Sequence, residues 1–225
     1  MNENIKHDVT RRDIRRLCHF TSSANFLHVL QSGLLKDRQT LDREQNVVVN
    51  PTDEMRFDGH REAICCSVEY PNTYYLDVAV KKQILFEGWI ILFLKPDLIW
   101  SPGALFCQKN AAAENGALVM GGEQGYNSMF PSSARGYPRK ATQLLCSPTD
   151  IQAEVLVPGP IPLNQIIGMA MRSEEQVETE LIRWETVGLK RPDIPIFIAP
   201  LLYSKIELRD RIWQGKRPDE NFYDK

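Results

Sequence analysis

The stretch RLCHFTSSANFLHVLQSGLL, residues 16–35, decides the fold. Its first six residues alternate as in a short strand, which places His19 and Thr21 on the same side. The two serines that follow can cap a helix, and Gly33 stands where a left-handed helix C-cap is expected. The stretch therefore predicts a strand that presents a histidine and a threonine and leads directly into a helix.

Further along the chain the pattern predicts a mixed body of helices and strands. Buried strands are predicted at residues 63–68, 88–94 and 194–199, and a helix is predicted at residues 174–187. Residues 151–157 alternate between apolar and other side chains, so one face of that strand carries the carboxylate of Glu154. Taken alone, a strand glutamate is more often a solvent-exposed residue than a catalytic one.

Two long stretches interrupt these elements. Residues 36–59 are polar and contain turn signals, which predicts a loop with a functional role. Residues 108–140 are rich in glycine, alanine and serine, with little periodicity. A connection of that length in a small domain is either disordered or a binding element.

Length and composition set outer limits. The chain has 225 residues, of which 43% are hydrophobic and 25% charged, and it shows no interdomain linker, so one domain is expected. No apolar run approaches the roughly 20 residues that cross a bilayer, and no export signal is visible, so we expect a cytoplasmic protein without a membrane contact. A net charge of −2 excludes a strongly basic body, so any nucleic-acid contact must be local.

Several classes of site lose support. Five cysteines without paired spacing indicate reduced thiols, and no histidine is placed to complete a zinc site, so no metal is expected. The sequence also lacks a phosphate-binding P-loop, a dinucleotide-binding glycine fingerprint, a serine-hydrolase elbow and the HExxH motif. Nucleotide hydrolysis and hydride transfer therefore have no motif to support them.

Four short motifs occur along the chain, and their order and spacing are informative. They are the His-x-Thr of residues 19–21 with its following helix, SVEYPN at residues 67–72, FCQKNAA at residues 106–112 and QAE at residues 152–154. In order and spacing they resemble the DarT family from about residue 15 to residue 163. DarT proteins are toxins of bacterial toxin–antitoxin pairs that use NAD+ to ADP-ribosylate bases of single-stranded DNA.

The resemblance implies a fold, a co-substrate and partners. The expected fold is α+β, an ADP-ribosyltransferase-like split mixed sheet flanked by helices, with residues 1–225 as a single ADP-ribosyltransferase domain. NAD+ is the expected co-substrate and single-stranded DNA the expected acceptor. A macrodomain antitoxin, similar to DarG, is the partner expected by analogy.

The resemblance also assigns residues. It places His19 and Thr21 on the adenosine ribose of NAD+ and Asn25 near the same pocket, and it makes Glu154 the catalytic carboxylate. A family arginine in the loop after the first helix corresponds best to Arg56, with Arg61 as the alternative. Apart from the resemblance, His19 is equally compatible with a histidine buried in the core, and a loop arginine is more often solvated than catalytic.

Aromatic and basic residues complete the predicted site. Tyr75 is expected on a strand, where it can form an aromatic wall for nicotinamide. The 108–140 segment resembles the loop by which such transferases choose their acceptor, since aromatic rings can stack on unpaired bases while basic groups hold phosphates. The substrate-binding candidates are Arg61, Tyr126, Arg135, Tyr137, Arg139 and Lys140. The family includes branches that modify thymine or guanine, and both bases stay open here.

The chemistry suits these residue types. Loss of nicotinamide leaves positive charge on the ribose, as in glycoside hydrolysis, and a carboxylate can stabilise that charge and accept a proton from the attacking base. The alternatives are transfer to RNA or protein, plain NAD+ hydrolysis, and a non-catalytic nucleic-acid-binding module. All readings of Glu154 as catalytic require that it share one cleft with His19.

Overall fold

A mixed sheet of nine strands organises the computed structural model, which describes residues 2–44, 56–82 and 88–224. The strands are β1 (Leu17–Ser22), β2 (Leu34–Leu35), β3 (Ala63–Val68), β4 (Trp89–Leu94), β5 (Leu105–Cys107), β6 (Met120–Gly121), β7 (Ser133–Ala134), β8 (Tyr137–Pro138), β9 (Glu154–Pro158), β10 (Ile161–Pro162), β11 (Ile166–Met171), β12 (Ile196–Ile198) and β13 (Asn221–Phe222). The helices are α1 (Glu3–Arg11), α2 (Ser23–Ser32), α3 (Arg38–Arg43), α4 (Thr73–Lys82), α5 (Gly122–Ser128), α6 (Glu174–Thr186) and α7 (Lys205–Trp213).

The large sheet has the order β13-β12-β11-β4-β1-β3-β9-β5-β6. β11 and β12 pair in parallel, whereas the other neighbouring strands of this sheet pair antiparallel. All six residues of β4 are buried, as expected for a central strand that is covered on both faces. The remaining short strands form two small pairs, β2 with β10 and β7 with β8.

The sheet splits between β1 and β3. β1 pairs with β4 over its whole length, from Leu17 to Ser22. Its pairing with β3 is confined to Leu17 opposite Val68 and Cys18 opposite Ser67. Beyond Cys18 the two strands separate. The predicted α+β fold with a split mixed sheet is therefore confirmed.

The turn from β1 into α2 forms as its sequence predicts. The Ser22 hydroxyl accepts a hydrogen bond from the Asn25 backbone N–H at 3.2 Å, which caps the helix. At the other end Gly33 has φ +70° and donates its N–H to the Val29 carbonyl. The predicted strands at 63–68 and 88–94 and the predicted helix at 174–187 also correspond to β3, β4 and α6.

Three local predictions need correction. Residues 108–140 do not form one irregular loop, because they contain α5, the short strands β6, β7 and β8, and a 3₁₀ turn at Ala113–Gly116, while their role as a binding element stays a prediction. Tyr75 lies in helix α4, not on a strand. The polar stretch 36–59 contains α3, while its residues 45–55 lie outside the described parts of the chain.

Tertiary packing explains why α5 forms despite a sequence poor in helix formers. Tyr126 and Met129 are fully buried in the main core. Gly125 lies so close to the Met120 carbonyl oxygen that a β-carbon there would stand 2.3 Å from it. Burial of two large side chains stabilises a helix that its intrinsic propensity would not.

The two faces of β9 serve different purposes. Val155 and Val157 point into the main hydrophobic core. On the opposite face Leu156 packs with Ala111 and Cys107 in a second, smaller apolar cluster, and Glu154 begins the strand on that same face. The predicted alternation of this strand is thus confirmed from Glu154 onward.

Ion pairs tie the C-terminal segment to the start of the chain. Arg217 binds the carboxylate of Glu69, which is 2% exposed, and also the carboxylate of Asp13. Arg16 binds the carboxylate of Glu220 on the same segment. These contacts hold residues 217–220 beside the beginning of β1 and the chain that follows β3. Within the described ranges, no helix has the length and apolar character needed to span a membrane.

We expect Arg217→Ala to lower the free energy of unfolding by about 3 kcal/mol, because it leaves the buried Glu69 carboxylate without its cation. Arg211→Ala is the matched control, since Arg211 pairs with Asp219 at the surface, where side chains are 37% and 76% exposed. That loss should stay below about 1 kcal/mol. Urea denaturation measures both, and equal losses would contradict a structural role for the Arg217 contact.

Candidate functional site

The side chain of His19 reaches across the split between β1 and β3. Its Nδ1 lies 2.9 Å from the carbonyl oxygen of Cys65. Because a carbonyl only accepts hydrogen bonds, Nδ1 carries the proton and Nε2 is the accepting nitrogen of the neutral ring. His19 is therefore fixed at the open side of β1 in a tautomer that can accept a hydrogen bond from a hydroxyl group.

The environment of His19 favours the neutral ring. Burial lowers the pKa of His19 below 6.5, and the nearby positive charge of Arg56 lowers it further. The hydrogen bond to the Cys65 carbonyl acts in the opposite direction but does not outweigh them. At pH 7 the imidazole is uncharged.

Glu154 lies at the first position of β9, between β3 and β5. It is 7% exposed, which excludes a solvent-exposed strand glutamate. Its Oε2 accepts the backbone N–H of Ala111 at 2.7 Å, and its Oε1 accepts the side-chain amides of Asn72 at 3.3 Å and Asn110 at 3.4 Å. Three donors thus surround a buried carboxylate and fix its orientation.

Asn72 connects this carboxylate to helix α4. Its Oδ1 accepts the backbone N–H of Tyr75 at 3.1 Å, at the start of the helix. Its own N–H donates to the Ser67 hydroxyl at 3.1 Å, and its amide donates to Glu154. The start of α4, the end of β3 and the carboxylate are therefore held as one unit.

Aromatic rings cluster around Phe20 of β1. The ring of Tyr75 lies 5.9 Å from that of Phe20, which in turn lies 5.8 Å from Trp89 and 6.5 Å from His19. The predicted aromatic role of Tyr75 is compatible with this position, although its element is a helix. Thr21 is buried at 5% exposure.

Asn25 is placed by the cap of α2. It occupies the first turn of that helix, directly after β1, and it is partly exposed. The predicted NAD+-binding residues His19, Thr21, Asn25 and Tyr75 therefore all lie on β1 or on the first turn of a helix next to it. Their roles stay predictions.

Arg56 lies in a tight turn before β3. Its backbone has φ +43°, and its guanidinium binds the carboxylate of Asp58 and the carbonyls of His60 and Ala63. The side chains of Arg56 and Asp58 are only 8% and 2% exposed. The turn therefore holds the guanidinium rigidly beside the split, with Asp58 balancing its charge.

Cys65 on β3 lies close to Glu154, Arg56 and His19. Burial and the negative charge of Glu154 raise its pKa well above 9.0, while the positive charge of Arg56 acts against them. Its Sγ also lies 3.4 Å from a carboxylate oxygen of Asp58. Since His19 binds the carbonyl of the same residue, Glu154, Arg56 and His19 are gathered around Cys65 on β3.

Arg61 lies elsewhere. It forms an ion pair with Asp42 on α3, and the two side chains are 44% and 35% exposed. Of the two arginines that the sequence left open, Arg56 is therefore the one beside His19 and Cys65. A catalytic role for either arginine stays a prediction.

Two predicted DNA contacts need correction. Tyr126 is fully buried, its hydroxyl donates to Asp8 at 3.1 Å, and its ring packs against Phe106, so neither face of the ring can stack on a base. Arg139 uses its guanidinium on the carbonyls of Leu144 and Ser147, at 2.8 and 2.9 Å. Its donors hold the chain after β8 together and do not point to solvent phosphates.

The other loop candidates are accessible. Tyr137 is 76% exposed in the small β7–β8 hairpin. Arg135 is half-exposed and pairs with Asp150. The Lys140 ammonium lies 4.0 Å from the centre of the Trp213 ring. These three residues keep the predicted role in substrate binding as a hypothesis.

The sequence did not assign a role to the groups that hold Glu154. Asn72 and Asn110 belong to the SVEYPN and FCQKNAA motifs, but their convergence depends on how β3, β5 and β9 pair. An amide side chain within four residues of the end of a strand was the available signal. Among the described residues, no group of three or more histidine, cysteine or acidic side chains could hold a metal ion.

Comparison with known proteins adds a family. A family model described as ssDNA thymidine ADP-ribosyltransferase, DarT, matches residues 18–196, well over half of the chain. No curated protein sequence gives a significant match.

Solved structures share the fold. The DarT of Thermus sp. 2.9 in complex with NAD+ is 16% identical, with a TM-score of 0.54 over 84% of this chain and 98% of that one. The same protein in complex with ADP-ribosylated ssDNA is 15% identical, with a TM-score of 0.55 over 85% of this chain and 97% of that one. The DarTG of Thermosipho africanus in complex with ADP-ribose is 14% identical, with a TM-score of 0.55 over 84% of this chain and 51% of that one. At these identities the likeness establishes a common fold.

We expect His19 to titrate with a pKa below 6.5, and Arg56→Gln to raise that pKa by removing a nearby positive charge. Because the unfolded chain then takes up this proton before the folded chain does, His19 reduces the stability of the fold as the pH falls below about 6.5. Imidazole NMR across a pH series measures the midpoint. A His19 midpoint above 6.5 would contradict the buried, neutral ring.

Proposed function

Because this chain belongs to the DarT family of ssDNA thymidine ADP-ribosyltransferases, we propose that it transfers ADP-ribose from NAD+ to a thymine base of single-stranded DNA, with Glu154 as the catalytic carboxylate. The assignment of Glu154 depends on one observation. Its carboxylate is buried next to the split of the sheet and accepts hydrogen bonds from three donors. The family description favours thymine over guanine as the target.

The proposed reaction exchanges one bond at the ribose. The bond between C1′ and the nicotinamide nitrogen breaks, and nicotinamide leaves as a neutral molecule with the electron pair of that bond. Thymine in DNA has one ring nitrogen that carries a proton, N3, so N3 forms the new bond to C1′. Its proton passes to the carboxylate of Glu154, a general-base contribution of about 10²–10⁴-fold.

Charge stabilisation is the second role of Glu154. Positive charge develops on the ribose as nicotinamide departs, and a fixed carboxylate in a buried site lowers the energy of that charge. Asn72, Asn110 and the Ala111 N–H hold both carboxylate oxygens, so the group needs little reorganisation during the reaction. An attacking base must be unpaired to reach this site, which suits single-stranded DNA.

The β1 side of the split is the proposed NAD+ site. His19 would accept a hydrogen bond from a ribose hydroxyl at Nε2, as its fixed tautomer allows. Thr21 and Asn25 would contact the same adenosine, and Tyr75 would flank the nicotinamide beside Phe20. The structures of the Thermus DarT with NAD+ support a co-substrate in this fold.

Arg56 is proposed to act from its fixed position in the turn. Its guanidinium is bound to Asp58 and two carbonyls, so it would contribute a localised positive charge near the cleft, close enough to lower the pKa of His19. That charge suits the pyrophosphate of NAD+. Arg61 remains the alternative, although its ion pair with Asp42 lies at the surface.

A toxin role and a partner follow from the family. We propose that residues 1–225 form one ADP-ribosyltransferase domain, since the large sheet joins β1 near the start to β13 near the end. This chain covers 51% of the Thermosipho africanus DarTG chain. By analogy with the family, a macrodomain antitoxin similar to DarG is the proposed partner.

Glu154→Gln should lower the rate of ADP-ribose transfer by at least about 10²-fold, because the amide cannot accept the proton of the base. Glu62→Gln is the control, since Glu62 is an exposed glutamate that lies just before β3. Release of nicotinamide and labelling of an oligonucleotide by labelled NAD+ measure the two variants. Unchanged labelling in Glu154→Gln would remove it from the mechanism.

The target base is tested with single-stranded oligonucleotide pools that differ in composition. We expect labelled ADP-ribose on pools that contain thymine and none on pools that lack it, with mass spectrometry locating the adduct on the base. Labelling of pools that contain guanine but no thymine would show that guanine, and not thymine, is the target base. Label confined to RNA or protein, or nicotinamide release without any adduct, would overturn the DNA assignment.

A further inference from the structure

An open groove of about 420 Å³ lies away from Glu154, between α7 and the chain that follows β8. It is lined by Lys140, Thr142, Asp210, Trp213, Gln214 and Lys216. Lys140 was a predicted substrate contact, whereas the residues of α7 and the turn after it carried no prediction.

The groove is positively charged in a chain that is negative overall. Lys140 and Lys216 are exposed, and neither forms an ion pair with any residue in the described ranges. Asp210 also faces the groove, but it is paired with Arg209 at 2.8 Å. Two ammonium groups are therefore available to an anionic ligand, while the one lining carboxylate is already neutralised.

Trp213 gives the groove a fixed floor. The Lys140 ammonium lies 4.0 Å from the centre of its ring, and the guanidinium carbon of Arg209 lies 4.8 Å from it. Cation–π contacts of this kind hold the cations in place before a ligand arrives, which reduces the entropy lost on binding. Because cations already cover the ring, the groove is built for phosphates more than for stacked bases.

Backbone contacts make the groove rigid. The Thr142 hydroxyl donates to the Trp213 carbonyl at 2.6 Å, and the Leu144 N–H donates to the Ile212 carbonyl at 3.1 Å. Gly215 has φ +73°, and a β-carbon there would stand 2.7 Å from the Thr142 carbonyl oxygen. These contacts hold residues 142–144 against residues 212–215, at a close approach that only glycine allows at position 215.

Helix α4 connects this groove to the carboxylate. Asn72 at the start of α4 binds Glu154, and Tyr74 in the first turn contacts the Arg209 guanidinium through its hydroxyl at 3.5 Å. Arg209 in turn covers Trp213. Tyr74 and Arg209 therefore link the start of α4 to the wall of the groove.

We propose that this groove binds the sugar-phosphate backbone of single-stranded DNA several nucleotides away from the modified base. The inference rests on the proposed function for the identity of the strand. It adds Lys216 and the Trp213 platform to the substrate surface, and it assigns Lys140 to phosphate binding.

The test compares a long and a short oligonucleotide, of about 20 and about 5 nucleotides, with the same thymine at the centre. Binding is measured by fluorescence anisotropy over a salt series without NAD+. Lys140→Ala/Lys216→Ala should weaken binding of the long strand on the order of ten-fold, and it should reduce the slope of log K against log salt by about 1.4, as expected for two lost phosphate contacts. Binding of the short strand should stay unchanged.

Lys82→Ala/Lys190→Ala is the matched control, because both lysines are exposed, lie outside the groove and carry the same charge. An unchanged salt slope in the groove variant, or an equal loss in the control, would overturn the proposal. Loss of affinity for an acidic peptide but not for the long strand would overturn it as well. Modification of the short strand by the unaltered protein tests the proposed function separately, so the two failures are distinguishable.

Discussion

The separation of β1 from β3 beyond Cys18 is the constraint on which the site depends. Two neighbouring strands that stop pairing leave space inside a sheet, where polar groups can face one another without a ladder between them. His19 spans that space to the Cys65 carbonyl, and Glu154 lies on the other side of β3, opposite Ser67, where the pairing of β1 with β3 ends. A fully paired sheet at this point would have filled the position with backbone hydrogen bonds.

The proposed catalytic groups are held in place by neighbouring side chains. Asn72 links the carboxylate to α4, and Asp58 holds Arg56 in its turn. Each of these two side chains thereby has a fixed orientation before any substrate is present, as the electrostatic catalysis proposed for Glu154 requires. The same logic applies at the surface, where Trp213 fixes the ammonium of Lys140.

The sequence predicted those parts of the fold that local chemistry decides. The Ser22 cap and the Gly33 C-cap depend on a few adjacent residues, and the apolar run of β4 is long enough to identify a buried strand. Tyr126 and Arg139 were misjudged because aromatic and basic residues look alike in a sequence whether they face solvent or the core. The donors around Glu154 could not be assigned, since they converge from strands that are distant in the chain.

Cys65 has a practical consequence for small-molecule inhibitors. It lies beside His19, Arg56 and Glu154, where a covalent warhead would ordinarily be directed, but its raised pKa keeps the sulfur protonated at neutral pH. Thiol-reactive electrophiles attack the thiolate, so acrylamides and similar groups should label this cysteine slowly. Inhibitors of this cleft are better built on reversible contacts with the amides and the imidazole that surround it.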